Sequence, residues 1–213
     1  MNYQIKELFI LFMIYSFIGW IIELIHGYVR NKKIVNRGFL IGPYCPIYGF
    51  GAILMIFFLK KYLNEPITLF FMCICIFSIL EYITSYLMEK LFKARWWDYS
   101  NYKYNINGRI CLETMLPFGV AGLITMYIVN PIFTNGLHNI PQIVLSVIFI
   151  VLSITLIVDI LLSTSVMANV TKTIKKVKKD NTEEITAKVK ELILQKNYLK
   201  KRIIKAFPKF KIR

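Results

Sequence analysis

Residues 8–29 read LFILFMIYSFIGWIIELIHGYV, a run with one carboxylate, Glu23, and neither Lys nor Arg. A hydrocarbon core about 30 Å thick is crossed by roughly 20 apolar residues in an α-helix, so this stretch is expected to span a membrane. It is too long for the apolar region of a signal peptide, and no small-residue cleavage pattern follows it. It reads as a retained helix. Outward from it, residues 42–59, 67–87, 110–133 and 140–162 approach the same length. Pro43 and Pro46 disfavour regular helix at the start of the second stretch, whose first residues read as re-entrant.

Composition agrees with that reading. Of 213 residues 56% are hydrophobic, yet Lys and Arg number 27 against 12 acids, a formal charge of +15. Apolar content this high excludes a disordered chain, and four cysteines are too few for a disulfide scaffold. Counting positive charges between the stretches gives 1, 4, 2, 5, 0 and 15 from the leader to the tail. Five crossings with the N-terminus outside put 24 of them in the cytoplasm and three outside, as the positive-inside rule requires. The expected fold is therefore all-α: a polytopic bundle of about five transmembrane helices in the cell membrane, with a cytoplasmic C-terminus.

The chain divides into a transmembrane region, 1–163, and a basic tail, 164–213. Val166, Val170, Ile174 and Val177, then Ile185, Val189, Leu192, Leu199 and Ile203, recur at helical intervals in the tail. This predicts a basic amphipathic helix. Anionic lipid headgroups are its simplest partner, at about 1 kcal/mol per basic residue near the surface. A base-reading motif is lacking, so nucleic acid is not an expected partner.

Four carboxylates fall inside the apolar stretches: Glu23, Glu81, Glu113 and Asp159. Each ionised form costs roughly 2.5–3.5 kcal/mol at the bilayer centre, so they are the candidate acid–base or binding residues. The topology sets all four within roughly 10 Å of the inner boundary, at 1.5 Å per helical residue. Ser78, Glu81, Ser85 and Glu89 form a polar stripe down the third stretch, and Gly19 lies one turn before Glu23. The connections add a second set of candidate ligand-binding residues. Asn36 and Arg37 precede Tyr44 and Tyr48 in a Gly- and Pro-rich segment, and Trp96, Trp97, Asp98 and Tyr99 precede Asn107 and Arg109. With Arg37 and Arg109 as the nearest obvious counter-ions, three of the five acids (the four above and Asp98) lack a cation. Shared protons, a bound cation or a cationic ligand would balance them. Cys73 and Cys75 diverge by about 200° on a helix, and no P-loop or nucleophile elbow occurs, so neither a metal nor a cofactor is expected.

These residues resemble the CmpB-like, type IV family of ABC-transporter permeases. The resemblance is carried by Tyr15-Ser16-Phe17-Ile18-Gly19-Trp20 with Glu23, Asn36-Arg37-Gly38-Phe39-Leu40 with Gly42-Pro43, and Pro46-Ile47-Tyr48-Gly49. Glu81-Tyr82, Trp96-Trp97-Asp98-Tyr99-Ser100 and Asn107-Gly108-Arg109-Ile110 complete it, covering residues 10–130. It implies a permease that draws ATP hydrolysis from a separate subunit. A fainter similarity is to membrane lycopene cyclases, through Trp97-Asp98-Tyr99 ahead of Gly108 and Glu113, although the Pro-x-Glu-Glu motif of that family is absent. Residues 8–15, 67–77, 120–129 and 143–152 are almost uniformly apolar, so polarity is expected on the cytoplasmic side alone. A permease therefore needs a homo-oligomer or an apolar, lipid-like cargo. The alternative is a cytoplasm-facing intramembrane enzyme or lipid-binding protein that uses the carboxylates on a lipid or isoprenoid.

Overall fold

The computed structural model describes residues 4–32, 36, 38–92, 94–176 and 211–212. Helix α1 (Ile5–Asn31) begins where the Glu7 carboxylate accepts the Gln4 backbone N–H at 3.0 Å. It stops at Lys32, whose left-handed φ of 53° lets its N–H donate to the Tyr28 carbonyl at 2.8 Å. Helix α2 (Pro46–Leu59) and α3 (Pro66–Phe92) both open on proline, which sits in a first turn without losing a needed donor. The next span is composite: α4 (Leu112–Ile124), a π-helical turn (Thr125–Val129) and α5 (Asn130–His138). Pro131 has no N–H for the Tyr127 carbonyl, which explains why the ladder widens just upstream. Helix α6 (Gln142–Lys176) runs 35 residues, unbroken past Ser163.

Four helical segments are long and apolar enough to cross a membrane: Ile5–Val29, Pro66–Phe92, Leu112–His138 and Gln142–Asn169. Over the fifth expected span, residues 42–59, the regular helix is shorter than expected. Its helix, α2, has only 14 residues, about 21 Å at 1.5 Å per residue, because Pro43 and Pro46 keep the backbone ahead of it out of helix. Large apolar side chains such as Phe57, Phe71, Ile79 and Leu161 point outward, as a lipid-facing surface requires.

Side-chain pairings fix the directions. Phe9 meets Phe149, and Lys6 meets Ser146, so α1 and α6 run parallel. Phe12 packs on Phe50 while Gly49 faces Ser16 and Phe12, so α2 runs against α1. His138 reaches Glu7 while Asn130 reaches Tyr15, so α5 also opposes α1. Helices α1, α3 and α6 thus end together where the Lys- and Arg-rich connections lie, hereafter the basic end. At the other end Ile10, Leu11, Met55, Leu59, Leu69 and Leu145 form the apolar core.

Beyond α3 the chain folds back as two small antiparallel pairs. β2 (Asn105–Ile106) pairs with β3 (Ile110–Cys111), and β1 (Ala94–Arg95) pairs with β4 (Lys211–Ile212) near the C-terminus. Residues 177–210, which hold most of the expected tail helix, and Arg37 lie outside the described residues.

Candidate intramembrane site

Backbone that leaves helical form inside a membrane must find its hydrogen bonds within the protein. The segment ahead of α2 does so through Asp159. Its carboxylate accepts the Ile41 N–H at 2.9 Å, the Gly42 N–H at 2.6 Å, the Tyr44 hydroxyl at 2.6 Å and the Ser163 hydroxyl at 2.8 Å. Four donors occupy its two oxygens. Cys45 then donates its N–H to the Ser16 carbonyl at 2.8 Å, so α2 begins opposite the middle of α1. Asn36 ties the entry of the segment, accepting from Trp20 and from the Gly38 N–H, both at 3.0 Å, and donating to the Ile41 carbonyl at 3.2 Å. Glycines allow the close approach that follows. A Cβ on Gly19 would run into the Tyr48 ring, and one on Gly49 into Ser16 and the Phe12 carbonyl.

That approach delivers Tyr48 to Glu23, with its hydroxyl donating to the carboxylate at 2.8 Å. A second tyrosine makes the matching contact from the other side: Tyr99 donates to Glu81 at 3.2 Å. Glu23, Glu81 and both tyrosines are electrostatic neighbours, so the two carboxylates from α1 and α3 share one site. Burial, then the Glu81 charge, pushes the Tyr99 phenol well above its ordinary range. The other oxygen of Glu81 and the hydroxyl of Ser78, one turn away, are buried without a hydrogen-bond partner among the described residues.

Tyr99 is brought there by residues 94–111, which fold on a buried ion cluster. Arg95 reaches Glu89 at 3.1 Å, Asp98 at 3.5 Å and the Asn107 carbonyl at 3.2 Å. Arg109 reaches Glu89 at 3.0 Å and Ser85 at 3.2 Å, with its guanidinium over Tyr82 and Tyr86. Asp98 also accepts from the backbone and hydroxyl of Ser100. The β2–β3 turn has left-handed backbone at Asn107 (φ 52°) and Gly108 (φ 64°), the geometry that an Asn-Gly hairpin favours. Asn107 then donates to the Tyr82 hydroxyl at 2.9 Å. Trp97 donates to the Arg109 carbonyl at 3.0 Å, and Trp96, 2% exposed, packs between Phe39 and Phe92. Trp96 thus joins the two connections, while Trp97 braces the fold-back internally.

Three expectations change. Of the four acids expected at one depth, Glu23 and Glu81 meet; Asp159 binds the segment ahead of α2, and Glu113 is exposed on the first turn of α4. The charge arithmetic changes too, because Arg109 serves Glu89, and Arg95, not singled out in the sequence, serves Glu89 and Asp98. Arg95 escaped notice because its partners come from a fold-back that charge spacing does not reveal. The third change concerns the far half of the bundle. Glu7 lies 3.3 Å from His138, and Tyr15 donates to Asn130 at 3.2 Å beside the fully buried Thr134. Together with Ser16, Gly19 and Glu23 they make a polar seam along one side of α1, interrupted by Leu11. Residues 120–129 are apolar, but the span continues to His138 and carries its polar groups in α5. Among the described residues no three His, Cys, Asp or Glu side chains converge as metal ligands.

Fold and seam together define a polytopic helical membrane protein built around a broken helix. Residues 10–164 match the model of the family described as "Putative ABC-transporter type IV". The chain belongs to that family and is a membrane protein of transporter type. The match takes in α6 as far as Thr164, beyond the 10–130 covered by the motifs. No curated protein and no solved structure matches the chain.

Proposed function

We propose that this chain is the membrane-embedded permease subunit of an ATP-driven transporter in the cell membrane, with the start of α1 outside and the basic end in the cytoplasm. A separate subunit hydrolyses ATP. The observation that carries this reading is the polar seam, which runs from Glu7 and His138 through Thr134, Asn130, Tyr15 and Ser16 to Glu23 and Glu81. A cytoplasm-facing enzyme has no use for polar groups at the far end, whereas a translocation path needs them at every level. Irregular backbone at membrane depth is tolerated where it lines such a path. Leu11 closes the seam between Glu7 and Tyr15, as a gate in a resting transporter would. Asp159, Asn36 and Trp97 act as positioning residues, and the basic tail holds anionic headgroups. Copies of the chain associate in the membrane to complete the transporter.

The test is thiol accessibility of Ser16→Cys and Thr134→Cys in a background lacking the four native cysteines, using sealed vesicles from native membranes supplied with ATP. A membrane-impermeant reagent is expected to reach Ser16→Cys from either face during turnover. Labelling from the cytoplasmic face alone overturns the permease reading and supports an enzyme or lipid-binding protein acting from that side.

A further inference from the structure

We propose that Glu81 and Ser78 form the recognition point for a protonated primary amine, carried either by a free small molecule or by an ethanolamine lipid headgroup. The inference rests on the permease reading and names the class of its cargo. Glu81 is 8% exposed and Ser78 6% exposed, three residues apart on one face of α3. One Glu81 oxygen takes the Tyr99 hydroxyl; the other, and the Ser78 hydroxyl, have no hydrogen-bond partner among the described residues. Buried polar atoms are almost always satisfied, so two orphans one helical turn apart mark a place where a further group binds.

Charge says what kind. Glu81 and Glu23 are neighbouring carboxylates, and among the described residues Arg95 and Arg109 are engaged with Glu89 and Asp98. A ligand seated here gains from positive charge, and an anion is repelled. Geometry narrows the choice further. An –NH3+ group has three donors, enough for the free Glu81 oxygen, Ser78 and one neighbouring tyrosine oxygen. A quaternary ammonium has none.

Binding of ethanolamine to the purified full-length protein tests the site without requiring transport, so its failure is separate from failure of the thiol-accessibility test. Isothermal titration with ethanolamine in phosphatidylcholine nanodiscs is expected to show saturable binding. Choline is expected to bind at least about tenfold more weakly, since it lacks N–H donors. Ser78→Ala should weaken ethanolamine about tenfold, Glu81→Gln should abolish binding, and Glu65→Gln at an exposed turn should leave it unchanged. Native mass spectrometry from nanodiscs containing phosphatidylethanolamine separates the two sources: a retained lipid lost in Glu81→Gln assigns the headgroup, and titration by ethanolamine with no retained lipid assigns the free amine. Equal binding of choline, binding unaffected by Ser78→Ala and Glu81→Gln, or no binding of either probe overturns the proposal. Ser78→Ala removes a single oxygen, so it remains informative if Glu81→Gln does not fold.

Discussion

Asp159 shows how one side chain makes a broken helix tolerable. Its substitution by Ala would leave the Ile41 and Gly42 amides unsatisfied, at about 1–3 kcal/mol each, and the Tyr44 and Ser163 hydroxyls would also lose their acceptor. A destabilisation of about 2–6 kcal/mol is expected, together with loss of hydrogen-exchange protection at Ile41 and Gly42. Retained protection at those two amides would contradict the role given to the carboxylate. Gly19 sets the opposite demand, for empty space. Gly19→Leu pushes into Tyr48 and should cost about 1–3 kcal/mol as overpacking, read as a lower thermal midpoint in detergent.

Among the elements, the fold-back at residues 94–111 depends on charge more than on apolar burial. Arg95 is 4% exposed and holds two acids, and breaking such a buried set costs about 3–5 kcal/mol. Arg95→Met is expected to open residues 94–111 to limited proteolysis while helical circular dichroism is kept. Tyr99 adds a pH response at the same element. Its phenol ionises at higher pH in the folded protein than the ordinary value of about 10. The stability it contributes is therefore complete below that value and is lost as pH rises above it. Alkaline loosening of the fold-back is expected above about pH 10, and Tyr99→Phe should remove that component.

At the scale of the whole molecule, the apolar runs made the class of fold legible, because membrane thickness leaves few other readings for such stretches. Pro43 and Pro46 likewise announced the irregular entry to α2. Glu23, Glu81 and Tyr48 were readable as candidates from their cost or setting, but the partnership of Glu81 with Tyr99 was not, since the fold-back that makes it is long-range. The Asn107-Gly108 turn could have been read from the dipeptide alone. The fourth span was read only to residue 133, where its apolar run ends, whereas the helix continues through Thr134 to His138 and absorbs Pro131 in a widened turn.

That widened turn has a further consequence. It holds one residue more than regular helix needs: deleting a single residue within 125–129 restores an ordinary ladder with α5 in its present phase, whereas relaxing all five residues to α-helix rotates α5 by about 100° relative to α4. Asn130 and Thr134 would then swing from Tyr15 toward lipid, and an apolar side of α5 would replace them. The surplus residue therefore works as a phase setting: it decides which flank of α5 looks inward without altering any side chain on it.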